Sequence, residues 1–171
     1  MQKTRSPDSI VNAPNIQRAL ERLFTEKIPY CSTLGLKFAL EGSRAEVRFA
    51  RADFMLGNVK HKVLHGGVTA SVLDSIAGIA ILAKMAELNP KPDVLEQLKD
   101  FGRISTIDLR IDYIEPANAE AFIATAEVLR VGNHVANVQM KMMAADTGRT
   151  VAVGSAAFAI RAQKKEAGAG I

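Results

Sequence analysis

The sequence predicts an α+β protein in which a long apolar helix covers one face of an antiparallel sheet. Three observations lead there. From Val68 to Ala83 the chain carries Ala, Val, Ile and Leu on every side, with Asp74 as its only charge, which is how a helix buried all round reads. From Ser105 onward the hydrophobic period changes to two, the mark of strands half buried against a core. Gly132-Asn133 and Thr147-Gly148 divide that C-terminal half at hairpin positions. An antiparallel sheet needs one face covered, and the apolar helix is the element available to cover it.

Each element has its own signal. Ile16, Leu20, Leu23 and Phe24 line one side of an amphipathic helix running to Lys27, with Pro29 expected to end it; residues 1–28 form an N-terminal helical extension. Leu36 to Leu40 and Ala45 to Phe49 alternate about a Glu41-Gly42-Ser43-Arg44 turn and read as a hairpin. Met55 to Lys62 is a loop leading into the helix. Beyond the helix, Asn89-Pro90-Lys91-Pro92 breaks the chain, and Asp93 can cap a short charged helix to about Asp100, an insertion between helix and sheet. Thr106 to Ile114, closed by Pro116, is the clearest strand; Ala121 to Val131, Val135 to Asp146 and Thr150 to Ile160 follow it. Residues 162–171 read as a frayed tail of a single domain spanning 1–171.

Composition narrows the classes. At 171 residues, 48 % apolar and 23 % charged, the chain can bury one sizeable core and is not disordered. The single cysteine, Cys31, cannot pair internally, which favours a reducing cytoplasm. Met1 to Ala13 has no apolar signal core. After Asp74 the uncharged run stops at Lys84, far short of a membrane span. The net charge of +4 comes without zinc spacing, helix-turn-helix pattern or aromatic and basic interleaving, so no nucleic acid is expected. With no Trp, two Tyr and seven Phe, a site is lined by aliphatic side chains and suits an aliphatic ligand.

The chemistry centres on Leu64-His65-Gly66-Gly67 and Asp74. A lone carboxylate on an apolar helix is costly unless paired, and such groups often have catalytic work. Gly66-Gly67 at a helix start leaves unpaired N–H groups at its positive end, suited to an oxyanion. Each residue also has a plainer reading: Asp74 as a buried acid bonded to a loop, the glycines as a tight turn, His65 as a hydrogen-bonding brace, Asn58 as a loop residue. Asp74 lies eight residues beyond Gly66, about 12 Å along the axis at ~1.5 Å per residue. One carbonyl cannot touch both in one subunit. If both are catalytic, the site is shared across a two-fold dimer of antiparallel helices.

His65-Gly66-Gly67, Asp74 nine residues after the histidine, Gly78 four later, Gly57-Asn58 before the motif and Thr106 to Tyr113 with Pro116 after it together resemble the PaaI-like acyl-CoA thioesterases of the hot-dog fold, over roughly residues 30 to 160. Within that family the chain is most similar to the bacterial medium- and long-chain acyl-CoA thioesterases. The resemblance implies a sheet wrapped around the central helix, homodimers with sites at the subunit interface, often homotetramers, no metal and no cofactor. It implies an acyl-CoA substrate drawn from fatty acid metabolism. It assigns the Gly66 N–H to the thioester carbonyl, His65 to shaping the loop, Asp74 to activating water or attacking directly, Asn58 to holding the nucleophile or thioester, and Thr106 to the attacking water. Leu64, Gly67 and Ser75, which flank these groups, are assigned as substrate contacts. Lys60, Lys62, Arg103, Arg110 and Arg130 are candidates for the phosphates of coenzyme A. Two other readings stay open: a hot-dog hydratase or dehydratase, which needs a second acid–base group facing Asp74, and a non-catalytic acyl-CoA-binding module, which is expected to carry an output domain.

Overall fold

The computed structural model describes residues 7–161; the predicted tail, 162–171, lies outside them. α1 spans Pro7–Arg22 and runs on through a wider π-helical turn, Leu23–Lys27. Ile16, Leu20 and Phe24 are buried, the face the spacing predicts. The helical run stops at Lys27 as expected, with Ile28 extended before Pro29 (φ −85°, ψ 109°), and Pro29 also begins a further helix, α2, over Pro29–Thr33. The residue before a proline is pushed out of the helical region, whereas the proline itself fits a first helical turn.

β1 (Lys37–Glu41) and β2 (Arg44–Ala50) form the expected hairpin, and Gly42 at its tip has φ +63°, a conformation only glycine adopts freely. The predicted loop at 55–62 contains structure of its own: β3 (Leu56–Asn58) pairs with β4 (Val63–Leu64) in a small second sheet. Runs of two and three residues leave no readable periodicity. α3 covers Gly66–Leu88, five residues further than the apolar run. α4 (Val94–Leu98) is capped by the Asp93 carboxylate, which accepts from Glu96 N–H at 2.8 Å. The four remaining strands are β5 (Ile104–Tyr113), β6 (Ala121–Val131), β7 (Val135–Ala144) and β8 (Thr150–Ile160).

The main sheet has the order β1-β2-β6-β7-β8-β5, antiparallel throughout. α3 packs across it, chiefly on β6 and β7. Ile76, Ile79 and Ile81 of the helix and Phe122, Val138 and Met142 of the sheet are fully buried, each worth about 1.5–3 kcal/mol of burial. At 23 residues α3 is long enough to cross a bilayer, but most of it is buried beneath the sheet, as the core helix of a globular fold is.

The helix is not buried all round. Gly67 is exposed and Gly66, Ala70, Ser71, Asp74 and Ser75 are half-exposed, which leaves one face open along its first three turns. The stripe escapes a reading of apolar periodicity because glycine, alanine and serine are too small and too weakly polar to stand out from valine.

Two features set the position of β5, the edge strand. The insertion folds around Asp100, which is 3 % exposed; its Oδ1 accepts from Lys91 Nζ (2.8 Å) and Arg103 Nη1 (2.6 Å), and its Oδ2 from Gln97 Nε2 (2.9 Å). Buried charge is tolerable only when so paired. On the other side, Gly154 of β8 lies against β5: a Cβ there would sit 2.8 Å from the carbonyl oxygen of Arg110. Gly154→Ala must push the two strands apart, and we expect a loss of about 1–3 kcal/mol of stability, readable as a lower urea midpoint.

Candidate functional site

The site is built on the first turns of α3. His65 is the N-cap residue (φ −61°, ψ 135°), and its own N–H is fastened to Met55 O at 2.8 Å. A helix start leaves N–H groups without intrahelical partners, and here each can be traced. Val68 N–H donates to His65 O at 2.9 Å. Gly67 N–H donates to His65 Nδ1 at 2.9 Å. Gly66 N–H has no acceptor among the described residues. Of the two glycine donors, one is consumed by the cap and one is left without an acceptor among the described residues. Nδ1 acts as an acceptor, so in this arrangement the imidazole proton resides on Nε2 and the ring serves as a brace.

The glycine pair is not required by its backbone angles, since neither residue has a positive φ. It is favoured by what surrounds it. A Cβ on Gly66 would meet Tyr113 Oη at 3.2 Å, and one on Gly67 would meet His65 Nδ1 at 3.0 Å. Gly57 has the same character, because a Cβ there would come within 2.8 Å of His65 Cα. At Gly57 a Cβ would clash with backbone, whereas at Gly66 and Gly67 the facing side chain would have to give by a few tenths of an ångström.

Asp74 stands two turns further along the open face, half-exposed rather than sealed in the core. Its Oδ1 accepts from Thr106 Oγ1 at 2.8 Å, which leaves Oδ2 without a partner among the described residues. Strict alternation along β5 would point Thr106 outward with Asp108 and Arg110. A β-bulge prevents that: Thr106 pairs with Phe158, Asp108 pairs with Ala157, and Ile107 is the extra residue between them. The bulge turns Thr106 to the inner face beside buried Phe158 and throws Ile107 into solvent.

The structure gathers the predicted residues into two groups. Asn58, Leu64 and Gly66 line one open cleft of about 480 Å³ with Val63, Thr69, Tyr113, Ile114, Glu115, Pro116, Ala117 and Val151. Asp74, further down the same helix, and Thr106, bonded to it from β5, lie outside the cleft. Asn58 Oδ1 accepts from His61 N–H at 3.1 Å, a local side-chain-to-backbone bond that holds the hairpin tip. The Ser75 hydroxyl donates to Ser71 O at 2.8 Å and faces Cys31 Sγ at 3.6 Å, so it is engaged within the protein. Burial pushes the Cys31 thiol above its ordinary value; the Ser75 hydrogen bond opposes this and the nearby Asp74 charge adds to it. The thiol therefore stays protonated at neutral pH. Among the described residues no three His, Cys, Asp or Glu side chains converge as metal ligands do.

Of the basic candidates, Arg103 is committed to Asp100 and to Arg161 O, and exposed Arg110 pairs with Asp112 on the outer face. Arg130 is exposed on β6. Lys60 and Lys62 are exposed on the β3–β4 tip beside the cleft. Lys62 has φ +52°, and Arg51 holds that tip, donating to Lys62 O at 3.0 Å and to Asn118 O and Ala119 O at 2.7 and 3.1 Å. Arg51 and Tyr113 are the residues sequence reasoning missed. An arginine just after a strand carries no signal, and the tyrosine sits in a strand whose alternation hides the bulge.

A six-stranded antiparallel sheet laid over one long central helix, with an unpaired N–H and a threonine-held carboxylate along the helix's open face, defines a hot-dog protein of the thioesterase type. The chain belongs to the thioesterase superfamily: the family model so described matches residues 61–151. It is 31 % identical over 135 residues, 78 % of this chain and 87 % of the other, to the medium/long-chain acyl-CoA thioesterase YigI of Escherichia coli K12. It is 30 % identical over 92 residues, 53 % of this chain and 56 % of the other, to acyl-coenzyme A thioesterase 13 of Mus musculus. A Shewanella oneidensis crystal structure described as related to the thioesterase superfamily superposes with a TM-score of 0.78 at 28 % identity, covering 86 % of this chain and 97 % of that one.

Proposed function

We propose that this thioester hydrolase cleaves aliphatic acyl-CoA of medium or greater chain length to the free fatty acid and coenzyme A, in the cytoplasm. The observation that carries the reading is the pair of complementary groups left open on one helix face: among the described residues the Gly66 N–H has no acceptor, and the Asp74 carboxylate is held through Oδ1 with Oδ2 unengaged. The relatives named above as acyl-CoA thioesterases support the substrate class. The aliphatic lining of the cleft, Val63, Leu64, Ile114, Ala117 and Val151, supports an alkyl chain over an aromatic one.

In this mechanism the Gly66 N–H donates to the thioester oxygen as negative charge develops on it, where one fixed donor is commonly worth about 2.7–4 kcal/mol of barrier. Asp74 Oδ2 takes a proton from water as the water oxygen bonds to the carbonyl carbon. The tetrahedral intermediate collapses, the carbon–sulfur bond breaks, and the proton passes to the departing thiolate. Thr106 keeps the carboxylate turned. Direct attack by Oδ2 uses the same geometry and is separated by single-turnover hydrolysis in heavy-oxygen water, which labels Asp74 only if it is the nucleophile.

About 12 Å of helix separates the two groups, so the reading requires a homodimer in which Gly66 of one protomer faces Asp74 of its partner across antiparallel α3 helices. The open stripe of small residues on α3 and the unpaired outer edge of β5, with Ile107 and Ile114 exposed, are surfaces suited to that pairing; two such dimers make the tetramer. Lys60 and Lys62 are the cations best placed for coenzyme A phosphates.

Thiol release measured over acyl-CoAs of two to eighteen carbons, with benzoyl-CoA beside them, tests the reading. We expect kcat/KM to rise to a maximum at eight carbons or more and to exceed the benzoyl value. Absence of thiol release from every acyl-CoA refutes the hydrolase reading, and a benzoyl preference refutes the aliphatic one.

A further inference from the structure

The chain has two tyrosines, both with exposed rings, and both hydroxyls reach the first turns of α3. Tyr113, on β5, donates to Gly66 O at 2.8 Å. Tyr30, on α2, meets Ser71 Oγ at 2.7 Å, and Ser71 Oγ donates to Gly67 O at 2.8 Å. The Gly66–Gly67 peptide is thus held at both ends: its carbonyl by Tyr113 and its N–H by His65 Nδ1 at 2.9 Å.

We propose that Tyr113 is a positioning residue for the hydrolysis: with His65 it fixes the torsions of Gly66 and so aims the Gly66 N–H at the substrate oxygen. The inference rests on the reading of Gly66 as oxyanion donor. Glycine is the residue with the widest backbone freedom, and at the start of a helix only its first bonds restrain it. Tyr113 supplies restraint from outside, its hydroxyl lying 3.2 Å from where a Cβ of residue 66 would sit. Helix stability does not call for this bond, because a carbonyl in the first turn already receives the N–H four residues on. The hydroxyl adds orientation to a group that is already satisfied. A donor displaced by a fraction of an ångström loses much of its effect on the transition state while substrate binding is spared.

The test is Tyr113→Phe, which removes the hydroxyl and keeps the ring. We expect kcat to fall about tenfold or more, and the Kd of a non-hydrolysable thioether analogue of acyl-CoA, which has no carbonyl for the donor to meet, to stay within twofold of wild type. In the ligand-free protein the amide resonances of Gly66 and Gly67 shift or broaden. Gly66→Ala, which crowds the same hydroxyl, reproduces the loss, and the double variant is no worse than Gly66→Ala alone because both act through one peptide. Wild-type kcat in a folded Tyr113→Phe protein overturns the proposal. So does a thioether Kd weakened as much as kcat/KM, which makes Tyr113 a substrate contact, or additive losses in the double variant. Unchanged glycine resonances overturn the clamp whatever the substrate, whereas failure of the wild type to release thiol overturns the hydrolase reading on which the proposal stands.

Discussion

Asp74→Asn is expected to lower kcat for acyl-CoA hydrolysis by at least about a hundredfold while the protein remains folded. A positioned base typically contributes 10²–10⁴-fold, and asparagine can neither take a proton from water nor attack as a carboxylate. The fold is expected to survive because Asp74 is half-exposed on α3 and the bond from Thr106 Oγ1 to its Oδ1 can be accepted by an amide oxygen. Steady-state thiol release together with thermal melting checks this. A folded variant that keeps more than a tenth of wild-type kcat, a barrier change of only ~1.4 kcal/mol, removes Asp74 from the chemistry.

The second large effect is a recovery. Gly66→Pro deletes the N–H assigned to the oxyanion at a position where proline suits the first helical turn, and His65 before it is already extended at ψ 135°, as a residue preceding proline must be. Asp74→Asn and Gly66→Pro homodimers should each be inactive, since each lacks one group in both sites. A mixed dimer has one doubly damaged site and one intact site, formed from Gly66 of one chain and Asp74 of the other. Co-refolding equal amounts should restore about a quarter of wild-type activity, because random pairing makes half of the dimers mixed and each has one working site of two. Circular dichroism of each parent secures the comparison, since the ring must share space with the Tyr113 hydroxyl. Folded mixed dimers that release no thiol exclude a site shared between α3 helices.

Much of this molecule was legible in residue order. Long periodic segments announce themselves, so the strands at 121–131 and 150–160 and the hairpin at 37–50 agree with their patterns almost to the residue. So does the Asp93 cap, whose chemistry is local. Short or irregular elements do not announce themselves: β3 and β4 are too brief for a period, and Pro29 fits a helix start as readily as a stop. The motif residues His65, Gly66 and Asp74 were legible because glycines and a carboxylate are conspicuous in an apolar run. What the glycines are for was not, since close approach by Tyr113 and His65 is a fact of three dimensions. The open face of α3 was hidden by the near-neutral character of serine and alanine.

Thr106 and Tyr113 lie seven residues apart on β5, an odd number, yet both point toward the helix. A strand has a reading frame of two, and Ile107 is a single-residue frameshift within it: residues before it exchange faces, and those after it do not. The carboxylate's partner is therefore written in one frame and the helix clamp in the other. Deleting Ile107 would close the frame, leaving Thr106 and Tyr113 six residues apart and both still toward the helix, whereas a strand that kept Ile107 in regular pairing would turn Thr106 to solvent. For the same reason, carrying this site to another sheet means carrying the interruption with it, since no uninterrupted strand can present both hydroxyls to one helix at that spacing.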